Sequence, residues 1–490
     1  MPTAETAKED GDGGKDHPIV IAGAGPCGLV AALVLQRHGI PIVILEKASR
    51  DKLDASVGSG YDLSPTTIEI VQKRLGLDTT KVFIQYSAFQ CRTLEGKVVR
   101  DIEFPKALDP SKSYQQATRP GLQGLLLDQL VDQEKVLKCG VGVESYQEDV
   151  EKGVVTVHLV DGTTVVGKAL LACDGIHSKV RKCMHGGDDV DPLSYCGTTC
   201  YWSVSPKPTP GSALESAINE TQSFRQEGPS FVWGMGSHRA PGSFFVTPNN
   251  NGQGVWMLGL KEEDQPAANV SDDLRRRGGA IMTEESKQAL LDMLKQRSRD
   301  HDASMIEIIR ATPEITQAGL FDRANQDLPF SSPGKLVALL GDAAHPQSPY
   351  LGQGCNMAVT DGYVCATLLA RHSSVAKAVE TYDCEQRRKE IQHVVKEARN
   401  ATDYCVSSSL WNYWFFYNLM KYAPMDSNVI MDNLIQHDKS NVSCLRRLDG
   451  VEDEKLSKLS DISTNWVKVA IVVLVAVGAS MVLKGKLAAV

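Results

Sequence analysis

Apolar runs and the turns between them divide this chain into recognisable elements. Pro18–Ala22 is a short apolar run, Gly23–Gly28 a glycine-rich turn, Leu29–His38 a helical stretch with small residues along it, and Pro41–Glu46 a second apolar run. Short apolar runs bounded by turn residues read as buried strands, so this segment predicts a βαβ unit. Strand-like segments follow at Val154–Val160, before the turn Asp161-Gly162, and at Val165–Ala172, which leads to Asp174-Gly175. From 195 to 330, short strands alternate with Pro, Gly and Asn turns such as Pro248-Asn249-Asn250-Asn251-Gly252. Leu336–Leu340 is again a continuous apolar strand, and a helix is predicted from Cys355 to Arg371. Residues 375–460 are helical and charged in pattern, without an internal repeat. The fold class expected is α/β, a Rossmann-like dinucleotide-binding domain interleaved with a sheet-rich substrate domain.

The last apolar stretch changes that picture. Trp466–Leu483 is nearly all Val, Ala, Ile, Leu, Gly and Met, with Lys468 near its start and Lys484 and Lys486 beyond it. A span needs about 17 to 25 apolar residues, and Val469–Val482 lacks the polar residues at helical spacing of an amphipathic core helix. A C-terminal transmembrane helix is therefore expected, anchoring a cytosolic body to a membrane. Residues 1–16 are acidic and glycine-rich and resemble neither a signal peptide nor a presequence.

Composition narrows the partners. The 490 residues carry a net charge of −8, which offers no basic field for nucleic acid. Twelve cysteines are scattered without a CxxC pair or a zinc-like set, in keeping with a reducing compartment and no structural metal.

The chemistry is concentrated in the glycine turn. Gly23-Ala24-Gly25-Pro26-Cys27-Gly28 fits G-x-G-x-x-G between a strand and a helix, with Glu46 ending the second strand. Gly23 makes the turn, Gly25 lets a pyrophosphate approach the backbone, and Gly28 lets helix and strand pack closely. Glu46 is placed to accept a hydrogen bond from a ribose hydroxyl and would repel a 2′-phosphate, so the nucleotide is FAD or NAD. Leu340-Gly341-Asp342-Ala343-Ala344-His345-Pro346 and then Gly352-Gln353-Gly354-Cys355-Asn356 favour FAD. That strand end can aim a carboxylate at a polyol, and the following helix start offers amides to a reduced, anionic isoalloxazine.

With these motifs in order, the chain resembles the single-component flavin monooxygenases, the aromatic hydroxylase family. The matching signatures are Gly23–Gly28 with Glu46, Cys173-Asp174-Gly175 running to Arg181, and Gly341–Pro346 running to Asp361-Gly362, with a weaker match at Arg119-Pro120-Gly121-Leu122-Gln123. The resemblance, which spans about residues 18–400, implies a glutathione-reductase type FAD-binding domain at 17–194 and 331–400 and a substrate domain at 195–330; the chain's own pattern adds a helical region at 401–464 and the tail anchor at 465–484, which the resemblance leaves unexplained. It implies that Glu46 binds the adenosine ribose, that Gly60 lies near the cofactor and that Arg119 faces the pyrophosphate. Asp174 would order the phosphate region, with Arg181 nearby. Asp342 would bind the ribityl chain, and the backbone of Gly352, Gly354 and Cys355 would face the flavin pyrimidine. Pro349 would stand beside the ring, its carbonyl toward a flavin hydroperoxide.

The implied reaction uses FAD, NAD(P)H as co-substrate and O2 to hydroxylate or epoxidise a small aromatic or unsaturated molecule. No second glycine fingerprint opens a helix, which suits a transient nicotinamide site. Tyr201-Trp202-Ser203 stands where many relatives carry Tyr-Arg-Gly, so Tyr201 is expected on the substrate side. His345 reads as structural, and the aromatic run Trp411–Tyr417 as packing on the flavin domain or meeting an apolar substrate or lipid. A reductase of prenyl or polyene chains and a membrane-tethered regulatory flavoprotein are the alternatives. The tail suggests the mitochondrial outer membrane or the endoplasmic reticulum.

Overall fold

The computed structural model describes residues 17–54, 60–104, 114–221, 224–225, 228–236, 242–249, 251–264, 280–297, 302–323, 327–406, 409–423 and 427–450. Ile19–Ala22 forms the central strand of a five-stranded sheet, and each of its residues is at most 1% exposed. The order is Val337–Leu339, Ala169–Ala172, Ile19–Ala22, Ile42–Glu46, Leu137–Cys139, and every pairing is parallel. A parallel sheet must be covered on both faces, which is why its strands read as unbroken apolar runs. The chain leaves the central strand toward Ile42–Glu46 on one side and returns through Ala169–Ala172 on the other. The carboxyl end of Ile19–Ala22 is thus the switch point where doubly wound sheets bind ligands.

Helix Pro26–Arg37 lies against helix Gly354–Arg371 at unusually close range. A Cβ added to Gly362 would stand 2.3 Å from the carbonyl oxygen of Cys27, so only glycine fits. Gly362→Ala is expected to force these helices apart and to destabilise the fold by at least the roughly 1–3 kcal/mol of an overpacked core. Thermal unfolding checks this; an unchanged midpoint would contradict the close crossing.

Among the described residues, a second sheet of nine strands runs in the order Ala280–Ile281, Thr316–Arg323, Leu193–Val204, Gly254–Lys261, Ser243–Pro248, Gly228–Met235, Ala88–Thr93, Val98–Glu103, with Phe224–Arg225 beside Gly228–Met235. Two of these strands, within 88–103, come from before the 195 boundary, so the two lobes share the chain. One face of this sheet packs on helices Ala213–Glu220, Glu284–Arg297 and Ala303–Ala311 through Val232, Phe244, Trp256 and Leu258. The other face is covered in part by helix Leu410–Tyr422, whose Tyr413, Phe416 and Tyr417 pack on Cys91, Trp233 and Met235. The aromatic run therefore packs on the second sheet rather than on the flavin-side domain.

The expected membrane location is overturned. Among the described residues no helix is long and apolar enough to cross a membrane. Helix Leu410–Tyr422 is apolar but has 13 residues where about 20 are needed. Helix Ser427–Leu448 has 22 residues but carries Asp438, Lys439, Arg446 and Arg447. The segment 465–484, on which the transmembrane and organelle expectations rested, lies outside the described residues.

Candidate active site

At the switch point each glycine of the fingerprint has its own physical reason. Gly23 has φ +102°, and a Cβ there would stand 2.3 Å from the carbonyl oxygen of Cys173. A Cβ on Gly28 would meet the carbonyl oxygen of Gly23 at 2.1 Å, whereas one on Gly25 would meet nothing within 4 Å. Gly23 and Gly28 are thus needed by the protein itself, and Gly25 faces open space. Pro26 opens the helix without a side-chain cap, leaving its first-turn amides without a side-chain acceptor. Glu46 accepts from the amides of Ala24 at 2.7 Å and Ala48 at 2.8 Å, so its carboxylate ties the turn to the second strand. Gln123 on helix Arg119–Leu127 donates to the carbonyl of Ala24 at 2.8 Å. That bond brings Arg119, exposed at the start of the same helix, to the same end of the sheet.

The loop after strand Val337–Leu339 is held by three buried charged groups. Arg181 donates to the carbonyls of Ala343 at 3.0 Å and Asp342 at 3.3 Å. Arg323, paired with Asp191 at 2.7 Å, donates to the carbonyl of Ala344 at 2.9 Å. Asp361 accepts from the amide of Gly341 at 2.8 Å, lies 2.5 Å from His345 Nε2 and is bonded by Arg387 at 2.6 Å. Burial pushes the Asp361 carboxyl up, but Arg387 and His345 outweigh it and hold the group below the usual range. His345 is completely buried in this network, a structural place.

The Asp342 side chain itself makes no hydrogen bond to these anchors. Its side chain keeps open surface although protein encloses it deeply enough to raise its carboxyl pKa, against the lowering pull of His345, Arg119 and Arg181. A deeply set carboxylate with open surface lies on the wall of a crevice. Cys355 and Tyr61, both half-buried, lie close enough to Asp342 and Arg119 to feel their charge. The open space before Gly25 and this carboxylate-lined crevice, both at the carboxyl ends of the strands, fit the two ends of an FAD molecule.

Asn356 clamps the far wall. Its amide donates to the carbonyls of Asp62 at 2.8 Å and Gly352 at 2.7 Å, and its oxygen accepts from Ser64 N at 2.9 Å and Thr67 Oγ1 at 2.8 Å. Every hydrogen-bonding site of this buried side chain serves to fix the strand beginning at Gly60 and the start of the helix that follows it against the Gly352–Cys355 turn. A Cβ on Gly60 would stand 2.8 Å from both Gln116 Nε2 and Val255 Cγ1, which explains the glycine by packing. Asp174 accepts from the amides of Lys179 at 2.9 Å and Val180 at 3.3 Å, capping helix Lys179–His185, while its second oxygen is buried without a partner.

Pro349 is exposed at the start of the turn Pro349–Leu351, next to Tyr350, which reaches the second sheet. The Tyr350 hydroxyl accepts from Ser243 Oγ at 3.0 Å and lies 3.9 Å from Cys200 Sγ. Successive strand residues face opposite ways. Cys200 thus faces the flavin loop, and Tyr201 is fully buried in the helix-covered core with Leu258 and Ile309. The expectation for Tyr201 is corrected accordingly: it does not line the crevice. Asn356, Arg323 and Arg387 were not singled out by sequence reasoning. Asn356 stands at the helix start after Gly-Gln-Gly-Cys, a usable signal, whereas nothing local marks Arg387 as the partner of Asp361.

A switch-point glycine turn, a buried-charge loop presenting Asp342 and a second sheet across the crevice together define a two-lobed flavin oxidoreductase. The chain belongs to the family described as FAD binding domain, whose model matches residues 16–194 and 237–398. It is 26% identical over 408 residues to an FAD-dependent monooxygenase of Aspergillus terreus, covering 79% of this chain and 86% of the relative. It is 25% identical over 380 residues to 3-amino-4-hydroxybenzoate 2-monooxygenase of Streptomyces cremeus, covering 75% of this chain and 83% of the relative. Klebsiella pneumoniae HpxO, solved with FAD and uric acid, shares the fold with a TM-score of 0.69 and 20% identity, over 88% of this chain and 99% of that one. The protein is an FAD-dependent monooxygenase.

Proposed function

We propose that the protein uses NAD(P)H and O2 to place one oxygen atom on a small, apolar, aromatic or unsaturated substrate. The observation that carries this reading is the row of rings that starts at Tyr350 beside the flavin loop and runs along the second sheet. Phe89 and Phe231 stack at 5.9 Å, Phe231 and Phe245 stand 5.7 Å apart, and Phe245 meets Tyr350 at 5.9 Å. Such a wall favours a flat or polyunsaturated molecule and excludes water from the reacting centre. The relative from Streptomyces cremeus, named for an aromatic substrate, supports the same class.

The bound flavin supplies two-electron reduction and oxygen activation. The chain's own residues bind and orient it. In this reading Glu46 takes the adenosine ribose, first-turn amides after Gly25 and the Arg119 guanidinium take the pyrophosphate, and Asp342 accepts from the ribityl hydroxyls. The Gly352–Cys355 turn would hold the pyrimidine through the amides of Gly354 and Cys355, the Gly352 amide being bonded to the Pro349 carbonyl at 2.8 Å, and Pro349 would stand beside the ring on the substrate side. Asp174 contributes through the helix it caps, which positions Arg181 beneath the Asp342 loop.

The test is substrate-stimulated oxidation of NAD(P)H under heavy-isotope dioxygen. Uptake of a single heavy oxygen atom into product is the expected result. A product reduced by two hydrogens without oxygen uptake would replace this reading with the prenyl or polyene reductase. Bound flavin with no nicotinamide oxidation across aromatic and polyene candidates would leave a regulatory flavoprotein.

A further inference from the structure

One carboxylate beside the flavin loop serves neither the fold nor the cofactor contacts assigned above. Asp62 stands on strand Gly60–Leu63, which Asn356 clamps to the Gly352–Cys355 turn. A Cβ placed on Gly352 would lie 3.6 Å from Asp62 Cβ and 3.8 Å from its Oδ2, so the carboxylate borders that turn. Its Oδ1 accepts from the Tyr86 hydroxyl at 2.5 Å. Tyr86 in turn meets Phe231 edge-on at 5.8 Å, and Phe231 belongs to the row of rings on the second sheet. Asp62 therefore sits where the flavin loop and the ring wall meet.

Its second oxygen has no use within the chain. Among the described residues Asp62 Oδ2 meets no hydrogen-bond donor and no cation, and the residue keeps open surface. Burial raises its carboxyl pKa, and the Tyr86 bond only partly offsets that. An unpaired carboxylate oxygen in a partly closed site is costly and calls for a donor from outside the chain. The sheet face opposite is apolar. Phe244, Val246, Trp256 and Leu258 pack on the helices, so the cross-strand pair Phe245 and Met257 faces the other way, and both are half-buried. A carboxylate with no cation beside it repels an anion and favours an O–H or N–H donor.

We propose that Asp62 Oδ2 is the acceptor that selects the substrate. It takes a hydrogen bond from a hydroxyl or N–H on an aromatic molecule that bears no carboxylate, while the ring of that molecule lies along Phe231 and Phe245. Tyr86 is the positioning residue that fixes the carboxylate's orientation. The inference rests on the monooxygenase reading for the reaction itself, while selection by Asp62 is testable by binding alone.

The test uses the full chain loaded with FAD, in equilibrium dialysis at neutral pH, against three naphthalenes. 2-Naphthol donates, 2-methoxynaphthalene keeps the oxygen without the donor, and 2-naphthoate brings a second carboxylate. The unaltered protein is expected to bind 2-naphthol at least about ten-fold more tightly than either of the others, the size of one hydrogen bond to a charged acceptor. Asp62→Asn keeps the shape and removes the charge. It is expected to retain FAD as the parent does, to lose the preference for 2-naphthol and to bind 2-naphthoate more tightly than the parent, because Tyr86 holds the amide oxygen and leaves the NH2 to the ligand. No saturable 2-naphthol binding, or an unchanged preference in Asp62→Asn, would overturn the proposal. Loss of flavin colour from the variant after gel filtration would also overturn it, giving the carboxylate to the cofactor. NAD(P)H oxidation measured on the same samples separates the two claims. Its absence alongside intact discrimination would defeat the monooxygenase reading and keep the acceptor.

Discussion

Asp342→Ala is expected to yield a folded protein that retains FAD at least about ten-fold more weakly than the parent. A hydrogen bond to a charged group contributes about 1.5–3 kcal/mol, and about 1.4 kcal/mol is a factor of ten in affinity. The fold should survive because Arg181, Arg323 and Asp361 hold the loop through its backbone, at the carbonyls of Asp342, Ala343 and Ala344 and the amide of Gly341. The visible flavin spectrum after gel filtration measures retention. Full colour in the variant would remove Asp342 from the cofactor site.

The same carboxyl carries a pH signature. Burial raises the Asp342 pKa in the folded protein. A raised carboxyl binds more protons folded than unfolded, so its contribution to apoprotein stability is greatest at acidic pH. That contribution falls as pH rises from about 4 through the raised value. Asp342→Asn should therefore make the FAD-free protein at least as stable as the parent at neutral pH, even as it binds FAD less tightly. This opposite movement of stability and binding is the mark of a residue kept for a ligand rather than for the fold.

Arg387→Leu is expected to have the largest effect on the fold itself. Both side chains of the Arg387–Asp361 pair are 0% exposed, and the bond is 2.6 Å. Removing one member of such a pair leaves an uncompensated buried charge and typically costs about 3–5 kcal/mol. The loss should appear as a lower urea midpoint at neutral pH and as easier release of FAD, because Asp361 also holds Gly341 and His345. The Asp361 pKa is depressed in the parent, so its favourable contribution is present above the ordinary carboxyl pKa near 4 and lost as pH falls through the lower folded value. The variant should consequently lie closest to the parent in acid. Adding Asp361→Asn should recover part of the loss at neutral pH; a parental urea midpoint for Arg387→Leu alone would show that the pair is dispensable.

The chemistry that was legible in the sequence is the chemistry that acts over short stretches of chain. Gly23, Gly28 and the strand before them meet within one turn, and the carbonyl of Gly23 is what Gly28 must avoid. Glu46 bonds Ala24 because the two strands are neighbours in a single βαβ unit. The βαβ pattern and the dinucleotide turn therefore follow from local spacing, which left FAD or NAD open until the Leu340–Asn356 motif was added. Direction across a sheet does not: a shift of one residue turns a strand side chain to the other face, which is how Tyr201 falls in the helix-covered core and Cys200 faces Tyr350. Nor do long-range partners follow from spacing. Asn356 closes on Ser64 across 292 positions, and Trp233 lines up with Tyr350 only because their segments are brought to one sheet face. Local spacing along the chain determined the cofactor fold, since its residues constrain one another through adjacent backbone. The substrate wall and the buried charges under the flavin loop were decided only by the packing of two lobes whose residues lie far apart in the chain.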